Sequence, residues 1–321
     1  YDFVVPGGLV WVAALVCLRP GVLPDSALPF LRAYPYAAAT VGVILGWYFN
    51  RSRVVYALLI LALADRALVL FPQDPATGGD ISRIVFHAVA LLLPANLAAY
   101  AVLSERGLFT TRGLARLIPI FGQVCVLGVL SFFRPRELAA MLEYQFVGVN
   151  LVAWTPISQA GLVAFGGGAI LLVARFFLHR DAIGKGFAWA LVAAFTALQT
   201  IRTGWDGTSF LATAGLILGV ALIETSYRMA YYDELTGLPG RRALNEELLT
   251  LGSQYAVGMV DVDHFKQFND RYGHDVGDQV LRMVASKLER VSGGGKAFRY
   301  GGEEFAVVFP GQSAKDVMPH L

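Results

Sequence analysis

Residues 299–305 read Arg-Tyr-Gly-Gly-Glu-Glu-Phe, and earlier in the chain an apolar run at residues 255–260 is followed by Asp261. The two glycines favour a tight turn between two strands, and the carboxylates of Glu303 and Glu304 follow at once. Asp261 comes where a strand is expected to leave its sheet and to face a ligand. If the two turns lie together, they form a carboxylate cluster beside an open backbone. A magnesium-bound nucleoside triphosphate requires such hard oxygen ligands and such close backbone approach.

Two further motifs accompany these turns. Residues 233–242 read Asp-Glu-Leu-Thr-Gly-Leu-Pro-Gly-Arg-Arg, and residues 272–278 read Tyr-Gly-His-Asp-Val-Gly-Asp. Together with the segment around Asp261 and the glycine turn, they resemble the GGDEF family of diguanylate cyclases, which join two GTP molecules into cyclic di-GMP. Motifs in a family's order and spacing are far more specific than a lone glycine-rich match. The resemblance covers about residues 230–321 only.

The resemblance implies a metal site. Asp261 and Glu303 are the expected catalytic metal ligands, Glu304 lies close enough to assist both as ligand and in catalysis, and the backbone carbonyl of Val262 contributes. The expected metal is Mg²⁺, two ions per GTP site, with Mn²⁺ as a substitute; two such ions can bridge the attacking and leaving oxygens. A carboxylate at a strand end can also cap the following helix, and this alternative for Asp261 stays open.

Phosphate contacts are expected at two backbone segments. The turn before the next helix presents successive N–H groups, which suit phosphate oxygens, and the glycine turn permits close approach. Lys266 either adds a positive charge there or is merely solvated. The substrate-binding residues of the two segments are Asp263, His264, Phe265, Lys266, Gly301 and Gly302.

Two side chains match the family's guanine-binding residues, Asn269 and Asp278. A carboxylate can accept from the guanine N1–H and the exocyclic amine, and an amide can serve an acceptor edge. Asp278 could instead be an acid in the first turn of a helix, favoured by the helix dipole.

The chain departs from the family pattern at three places. Gly240 stands where the family usually has Asn, which removes no ligand. The R-x-x-D motif of product inhibition is missing, because residues 292–295 read Ser-Gly-Gly-Gly, so feedback through that surface is not expected. The family's further strands and helices would follow Leu321, so we expect a partial GGDEF domain here.

Composition points to a membrane. The chain is 56% hydrophobic with a mean hydropathy of +0.55, too apolar for an ordinary soluble protein. Residues 1–226 hold 15 Lys/Arg and 11 Asp/Glu, whereas the much shorter stretch 227–321 holds 11 and 13. We therefore predict a transmembrane sensor domain at 1–226, a helical linker at 227–232 and the partial catalytic domain at 233–321. The two cysteines, Cys17 and Cys125, lie inside apolar runs without metal-ligand spacing, which disfavours a disulfide framework and a zinc site.

About eight apolar stretches are long enough to cross a bilayer. They lie near 3–19, 33–50, 54–72, 83–103, 115–133, 157–178, 186–203 and 207–227. Eight spans place both chain ends in the cytoplasm, where GTP is found. Arginine and lysine concentrate in the predicted inner loops and are absent from the outer loops 73–82 and 204–206, whereas the outer loops 20–32 and 134–156 hold a few. By the positive-inside rule, this distribution supports eight spans. The last span continues into residue 232 with no proline or glycine near its end.

Several polar residues lie within or beside the predicted spans. The segment 137–155 is predicted to be an interfacial amphipathic helix, because Glu137 and Glu143 disfavour a ninth crossing. Adjacent helical residues point about 100° apart, so Asp65 and Arg66 are expected to pair with other helices. His87 has no second histidine at ligand spacing, which disfavours a haem or metal site.

The C-terminal region reads as α/β. The pattern predicts a helix at 242–251, a buried strand at 255–261, a helix at 276–291 and a hairpin at 296–309 turning at Gly301-Gly302. The expected fold class is thus a polytopic helical membrane domain followed by a truncated nucleotidyl-cyclase-like domain.

The function predicted from these features is a homodimeric diguanylate cyclase of a bacterial inner membrane. Its GGDEF domain faces the cytoplasm, its partners are GTP, the lipid bilayer and an unidentified small-molecule or membrane signal, and nucleic acid is not among them. The alternative is a degenerate GGDEF domain that binds GTP or cyclic di-GMP as a regulatory module of a membrane receptor or transporter. The intact Asp261, Glu303 and Glu304 favour the enzyme.

Overall fold

The computed structural model describes residues 3–72, 79–147, 154–203 and 205–320. Contacts divide the chain into two compact units, one up to Thr225 and one from Ser226. The first unit is helical, and the second combines helices with a small sheet. The predicted order, a helical region followed by an α/β domain, is confirmed.

The first ten helices in the described part of the chain are rich in Leu, Ala and Val. Because these apolar helices satisfy their backbone groups internally, they suit a lipid environment. Their bounds are α1 Gly7–Cys17, α2 Leu28–Tyr48, α3 Ser52–Leu70, α4 Asp80–Val102, α5 Thr111–Leu114, α6 Leu117–Phe133, α7 Pro135–Leu142, α8 Gln159–His179, α9 Ala182–Thr203 and α10 Gly207–Tyr231.

Five segments are long and apolar enough to cross a membrane, judged by length and composition within the described residues. They are Asp80–Val102, Thr111–Phe133, Gln159–His179, Ala182–Thr200 and Gly207–Tyr231. The other three predicted spans fall on α1, α2 and α3. Helix α1 has only 11 residues, and α3 carries the charges of Arg53, Asp65 and Arg66. A count of eight spans therefore stays a prediction.

The segment 137–155, predicted as one interfacial helix, is helical only at its start. Helix α7 ends at Leu142, residues 143–147 are not helical, and residues 148–153 lie outside the described part. Beyond the end of α7, the side chain of Gln159 binds the non-helical backbone: its Oε1 accepts the N–H groups of Phe146 at 2.6 Å and Val147 at 3.0 Å.

Helix α7 is amphipathic and short. Leu138 and Leu142 pack against Ile84 and Ala88 of α4, whereas Glu137 is exposed. Eight residues span about 12 Å, well under the bilayer core of about 30 Å. This helix alone therefore cannot form a ninth crossing.

The expectation that Asp65 and Arg66 pair only with other helices is wrong. Nε of Arg66 donates to Oδ2 of Asp65 at 2.9 Å, and Nη2 donates to the same oxygen. The two Cβ atoms do diverge around the helix, but the long arginine side chain folds back far enough to close the pair. A weaker contact reaches a second helix, because Nη1 of Arg66 lies 3.4 Å from the Tyr36 hydroxyl.

The second unit contains a three-stranded antiparallel sheet in the order β1-β3-β2 among the described residues. Central strand β3 is buried on both faces. Phe305, Val307 and Phe309 face a core that includes Leu281 of α13, and Ala306 and Val308 face the other side, towards α11. The bounds are α11 Arg241–Thr250, β1 Tyr255–Asp261, α12 Phe265–Tyr272, α13 His274–Leu288, β2 Lys296–Gly301, β3 Glu304–Pro310 and α14 Ala314–Val317.

The structure differs from the predicted α/β pattern in three details. Strand β1 has the predicted bounds but is not a buried strand: Ala256 alone is buried, since β1 pairs only with β3 in the described part. Helix α13 is shorter at its C-terminal end than predicted and begins two residues earlier, at His274. The hairpin turns at Gly302 and Glu303, because Gly301 still pairs with Glu304.

Candidate active site

Asp261 and Glu304 lie side by side on the adjacent strands β1 and β3. They are direct partners in the antiparallel register of β1 and β3, which places such Cβ atoms about 4.5–5.5 Å apart. Both side chains are exposed, and neither carboxylate has a hydrogen bond or ion pair with any described residue. Like charges in this arrangement destabilise a sheet. A cation from outside the chain would relieve the repulsion between the two carboxylates.

The turn beside this pair is open. Gly302 has φ +46°, in the left-handed region that glycine enters at little cost. A Cβ placed on Gly301 or Gly302 would meet no atom within 4 Å, so a ligand can approach this backbone. Glu303 is half-buried in the turn and has no hydrogen-bond partner among the described residues.

The loop between β1 and α12 carries an unusual backbone. His264 has φ +56°, a conformation that costs of order 1–3 kcal/mol for a residue other than glycine and that clusters at functional sites. The side chains of Asp263 and Lys266 are exposed and unpaired in the described part, whereas Phe265 is a core residue whose N–H already donates to Val262 at 3.3 Å. No side chain caps α12, so the capping alternative for Asp261 receives no support.

Asn269 and the start of α13 are in close contact. A Cβ on Gly277 would lie 1.8 Å from Oδ1 of Asn269, so residue 277 must be glycine for this packing. The same Oδ1 atom is buried and has no hydrogen-bond partner among the described residues. Asp278 follows Gly277 directly and is half-buried. The acid in the first turn of α13 is Asp275, which weakens the alternative that Asp278 is a first-turn acid favoured by the helix dipole.

The comparisons with known proteins identify this region. Residues 230–320 match the family model described as "Diguanylate cyclase, GGDEF domain". Residues 230–320 form a GGDEF domain. The diguanylate cyclase VdcA of Vibrio cholerae is 46% identical over 90 residues, which are 27% of this chain and 26% of VdcA. The diguanylate cyclase DgcP of Escherichia coli is 43% identical over 96 residues, 27% of each chain.

Solved structures also match part of this chain. The coiled coil and GGDEF domain of DgcB from Caulobacter crescentus, in complex with c-di-GMP, is 40% identical and covers 30% of this chain and 56% of that one, with a TM-score of 0.29. The chain spans only about a quarter of the length of the two curated relatives above.

The GGDEF domain also contains an ion pair that the sequence motifs did not reveal. Nη1 of Arg299 donates to Oδ1 of Asp233 at 2.6 Å, and Nε and Nη2 of Arg299 donate to the carbonyl of Gly302 at 3.2 and 2.7 Å. Arg299 thus ties the glycine turn to the start of the domain. Partial burial alone would raise the pKa of Asp233, but hydrogen bonds from Thr236 and Arg299 outweigh it and lower the pKa.

Replacing Asp233 with Asn should destabilise the GGDEF domain at neutral pH by about 1–3 kcal/mol, the worth of a hydrogen bond to a charged group. Because the folded-state pKa lies below the usual 3.8, this stabilisation is present above that value and is lost as pH falls through the lowered pKa. The loss of unfolding free energy is measured by urea unfolding, with amide exchange of β3 as the readout.

The matched control is Asp270→Asn, which removes an exposed carboxylate without a partner in the described part. This control should stay within about 0.5 kcal/mol of wild type. A difference between wild type and Asp233→Asn that is as large at about pH 3 as at neutral pH would contradict the ion-pair explanation.

The residues present fit Mg²⁺ as an ion shared with substrate. Among the described residues, no group of three His, Cys, Asp or Glu side chains could hold a metal by itself. Magnesium, however, is usually bound by one or two carboxylates together with substrate phosphates. Asp261 and Glu304, with Glu303 beside them, provide such a partial set.

Proposed function

We propose that this protein is a membrane-bound diguanylate cyclase that joins two GTP molecules into cyclic di-GMP. The observation that carries the proposal is the Asp261–Glu304 pair: two exposed carboxylates directly opposed, without a cation from the described part of the chain, beside a turn that leaves its backbone open. The names of the relatives VdcA and DgcP support the same reaction.

Each part of the site has a role in this reaction. Asp261, Glu303, Glu304 and the Val262 carbonyl would hold Mg²⁺, which when bound neutralises the triphosphate and promotes ionisation of the attacking hydroxyl. The backbone N–H groups of Asp263 and His264, before α12, and of the turn at Gly302 would donate to phosphate oxygens. The 3′-oxygen of one GTP then bonds to the α-phosphorus of the other, and pyrophosphate leaves.

The product requires two such bonds, so two domains must meet face to face, each carrying one GTP. We therefore propose a homodimer. We also propose that the apolar helices cross a bacterial inner membrane with the GGDEF domain in the cytoplasm, and that a signal in or across the membrane regulates synthesis. Support comes from the five long apolar helices and from the arginines of the predicted inner loops.

Product identification tests the reaction. The purified full-length protein, given GTP and Mg²⁺, should release cyclic di-GMP and pyrophosphate, detected by mass spectrometry. GTP binding without turnover, with all metal-site residues intact and the protein dimeric, would instead favour the regulatory-module alternative.

Guanine recognition gives a sharper test. Gly277→Ala should push the Asn269 side chain out of its position, because the new methyl would overlap its Oδ1. Losing its hydrogen bonds to the base costs about 1–1.5 kcal/mol, so KM for GTP should rise ~10-fold with little change in kcat. Gly252→Ala, where a Cβ meets nothing within 4 Å, is the control. An unchanged KM for GTP in Gly277→Ala would show that Asn269 does not bind guanine.

Topology can be measured by thiol labelling. In a background without Cys17 and Cys125, single cysteines at 76 and 205 should react with an impermeant reagent in intact cells, and cysteines at 106 and 182 should not. Position 76 lies outside the described residues. Labelling at position 106 would contradict eight spans with both ends inside.

A further inference from the structure

The helical unit contains a small cavity with an ion pair in its wall. The cavity, about 260 Å³, lies between α2, α3 and α10, and Asp65 and Arg66 line it together with the leucines Leu58, Leu61 and Leu211. We propose that it binds a small zwitterion: an ammonium group and an anionic group carried on a short apolar part, of which an apolar α-amino acid is the simplest example.

In the ion pair, both Asp65 and Arg66 can still bind a further charged group. Both contacts of Arg66 go to one oxygen of Asp65, Oδ2, so Oδ1 has no hydrogen bond to any described residue. The guanidinium is placed by Tyr36, whose ring centroid lies 5.7 Å from its central carbon. The Arg66 side chain is 45% exposed and the Asp65 side chain 11%, so the cation is the group that a ligand meets first.

Net charge decides which ligand class fits. The carboxylate of Asp65 and the guanidinium of Arg66 sum to zero. In the low-dielectric setting that we propose for α3, a ligand with a net charge would leave one charge uncompensated, which is costly. An uncharged ligand and a zwitterion both keep the sum at zero, but only the zwitterion offers an anionic group to Arg66 and an ammonium group to Asp65.

Size and lining limit the apolar part. The cavity is smaller than the roughly 300–1,000 Å³ of ordinary ligand pockets, so the ligand must be small. Leu58, Leu61, Leu211 and Ala212 provide apolar surface for it. A single aliphatic side chain matches this wall.

Occupancy would act on the helix that leads to the GGDEF domain. Thr208, Leu211, Ala212 and Gly215 all belong to α10. Pro35, on the facing wall, lies inside α2, where a missing N–H lets a helix bend. Regulation of cyclic di-GMP synthesis through α10 rests on the proposed function, whereas ligand binding does not.

The test is calorimetric titration of the purified full-length protein in phosphatidylglycerol nanodiscs. The probes are L-alanine, L-valine and L-leucine, with 4-methylpentanoate and 3-methylbutylamine as leucine analogues that each lack one charge. At least one amino acid should bind. Both analogues, and the variants Arg66→Ala and Asp65→Asn, should bind ~10-fold more weakly or worse, the loss of about 1.4 kcal/mol.

Two further variants control for folding and for charge. Arg66→Lys keeps the positive charge and should retain measurable binding, and Arg134→Ala, which removes an exposed arginine paired with Glu137 outside the cavity, should bind as wild type does. If no amino acid binds but phosphatidylethanolamine discs raise the Tm of wild type and not of Arg66→Ala, the zwitterion is a lipid headgroup and the proposal stands.

The proposal is wrong if neither the amino acids nor phosphatidylethanolamine act on wild type. It is equally wrong if 4-methylpentanoate binds as tightly as leucine, because the cavity would then be an anion site. Every arm reads binding or Tm without GTP, so failure here is distinct from failure of the proposed cyclase reaction.

Discussion

Replacing Asp261 with Asn, or Glu303 with Gln, should lower the rate of cyclic di-GMP synthesis by ~10³-fold or more. Each change keeps the size of the side chain and removes one negative charge from the proposed metal site. A bound metal supplies several kcal/mol of charge stabilisation in the transition state, and about 1.4 kcal/mol corresponds to a factor of ten in rate. Initial rates of product formation at saturating GTP and Mg²⁺ measure the effect.

The control for charge is Glu289→Gln, at the end of α13, where the glutamate is exposed and has no side-chain partner in the described part. It should leave the rate unchanged. Circular dichroism and dimerisation of all three variants should match wild type, because the side chains of Asp261 and Glu303 form no hydrogen bond or ion pair within the described residues. A near wild-type rate in Glu303→Gln would show that Glu303 is not a metal ligand.

The second large effect is expected from the phase of helix α10. This helix runs from Gly207 to Tyr231 and reaches the first motif of the GGDEF domain. Each alanine inserted after Ser226 rotates the downstream chain by about 100° and lengthens the helix by about 1.5 Å. Two inserted residues turn the domain by about 200°, and because small misplacements of reacting groups can cost 10²-fold, synthesis should fall ~10²-fold.

The rate of cyclic di-GMP synthesis should recover when an insertion restores the rotational phase of α10. Insertions of four and seven alanines leave the helix about 40° and 20° from its original phase, so both should recover much of the lost rate. Two alanines inserted after Gly252, in the exposed connection between α11 and β1, serve as a control that lengthens the chain without rotating the domain. A rate that falls steadily with the number of residues after Ser226 would indicate a flexible tether instead.

Local patterns were enough to predict much of the second unit. The bounds of β1 and the pairing of a β2–β3 hairpin follow from apolar periodicity and from the glycine turn, which act over a few residues. The opposition of Asp261 and Glu304 was predictable for a similar reason. Each residue ends or begins a strand, so one pairing of β1 with β3 places both at the same edge of the sheet.

Contacts that depend on tertiary packing were not predictable in this way. Asp233 and Arg299 are 66 positions apart, and no local pattern connects them, although both lie within motifs that the sequence displays. The burial of β1 was overestimated because apolar residues alone do not reveal whether a strand has one neighbour or two. The overlap of residue 277 with Asn269 depends on how α12 and α13 pack, which periodicity does not specify.

The helical unit illustrates a different limit. Hydropathy located the apolar helices but said little about where side chains with several rotatable bonds would reach. Arg66 therefore closed an ion pair with its own neighbour, Asp65, against the expectation from helical geometry. Similarly, the side chain of Gln159 binds backbone groups of Phe146 and Val147, beyond the end of α7, an interaction that leaves no local pattern in residues 137–147.

We propose that Asp261, Glu303 and Glu304 hold a divalent cation together with GTP. This binding can be measured without turnover by using 3′-deoxy-GTP, which lacks the attacking hydroxyl, and Mn²⁺, which is paramagnetic. Mn²⁺ retained with the nucleotide-bound protein, counted by electron paramagnetic resonance, should be high for wild type and for Glu289→Gln and at least ~10-fold lower for Asp261→Asn and Glu303→Gln. Equal retention in all four proteins would contradict the account.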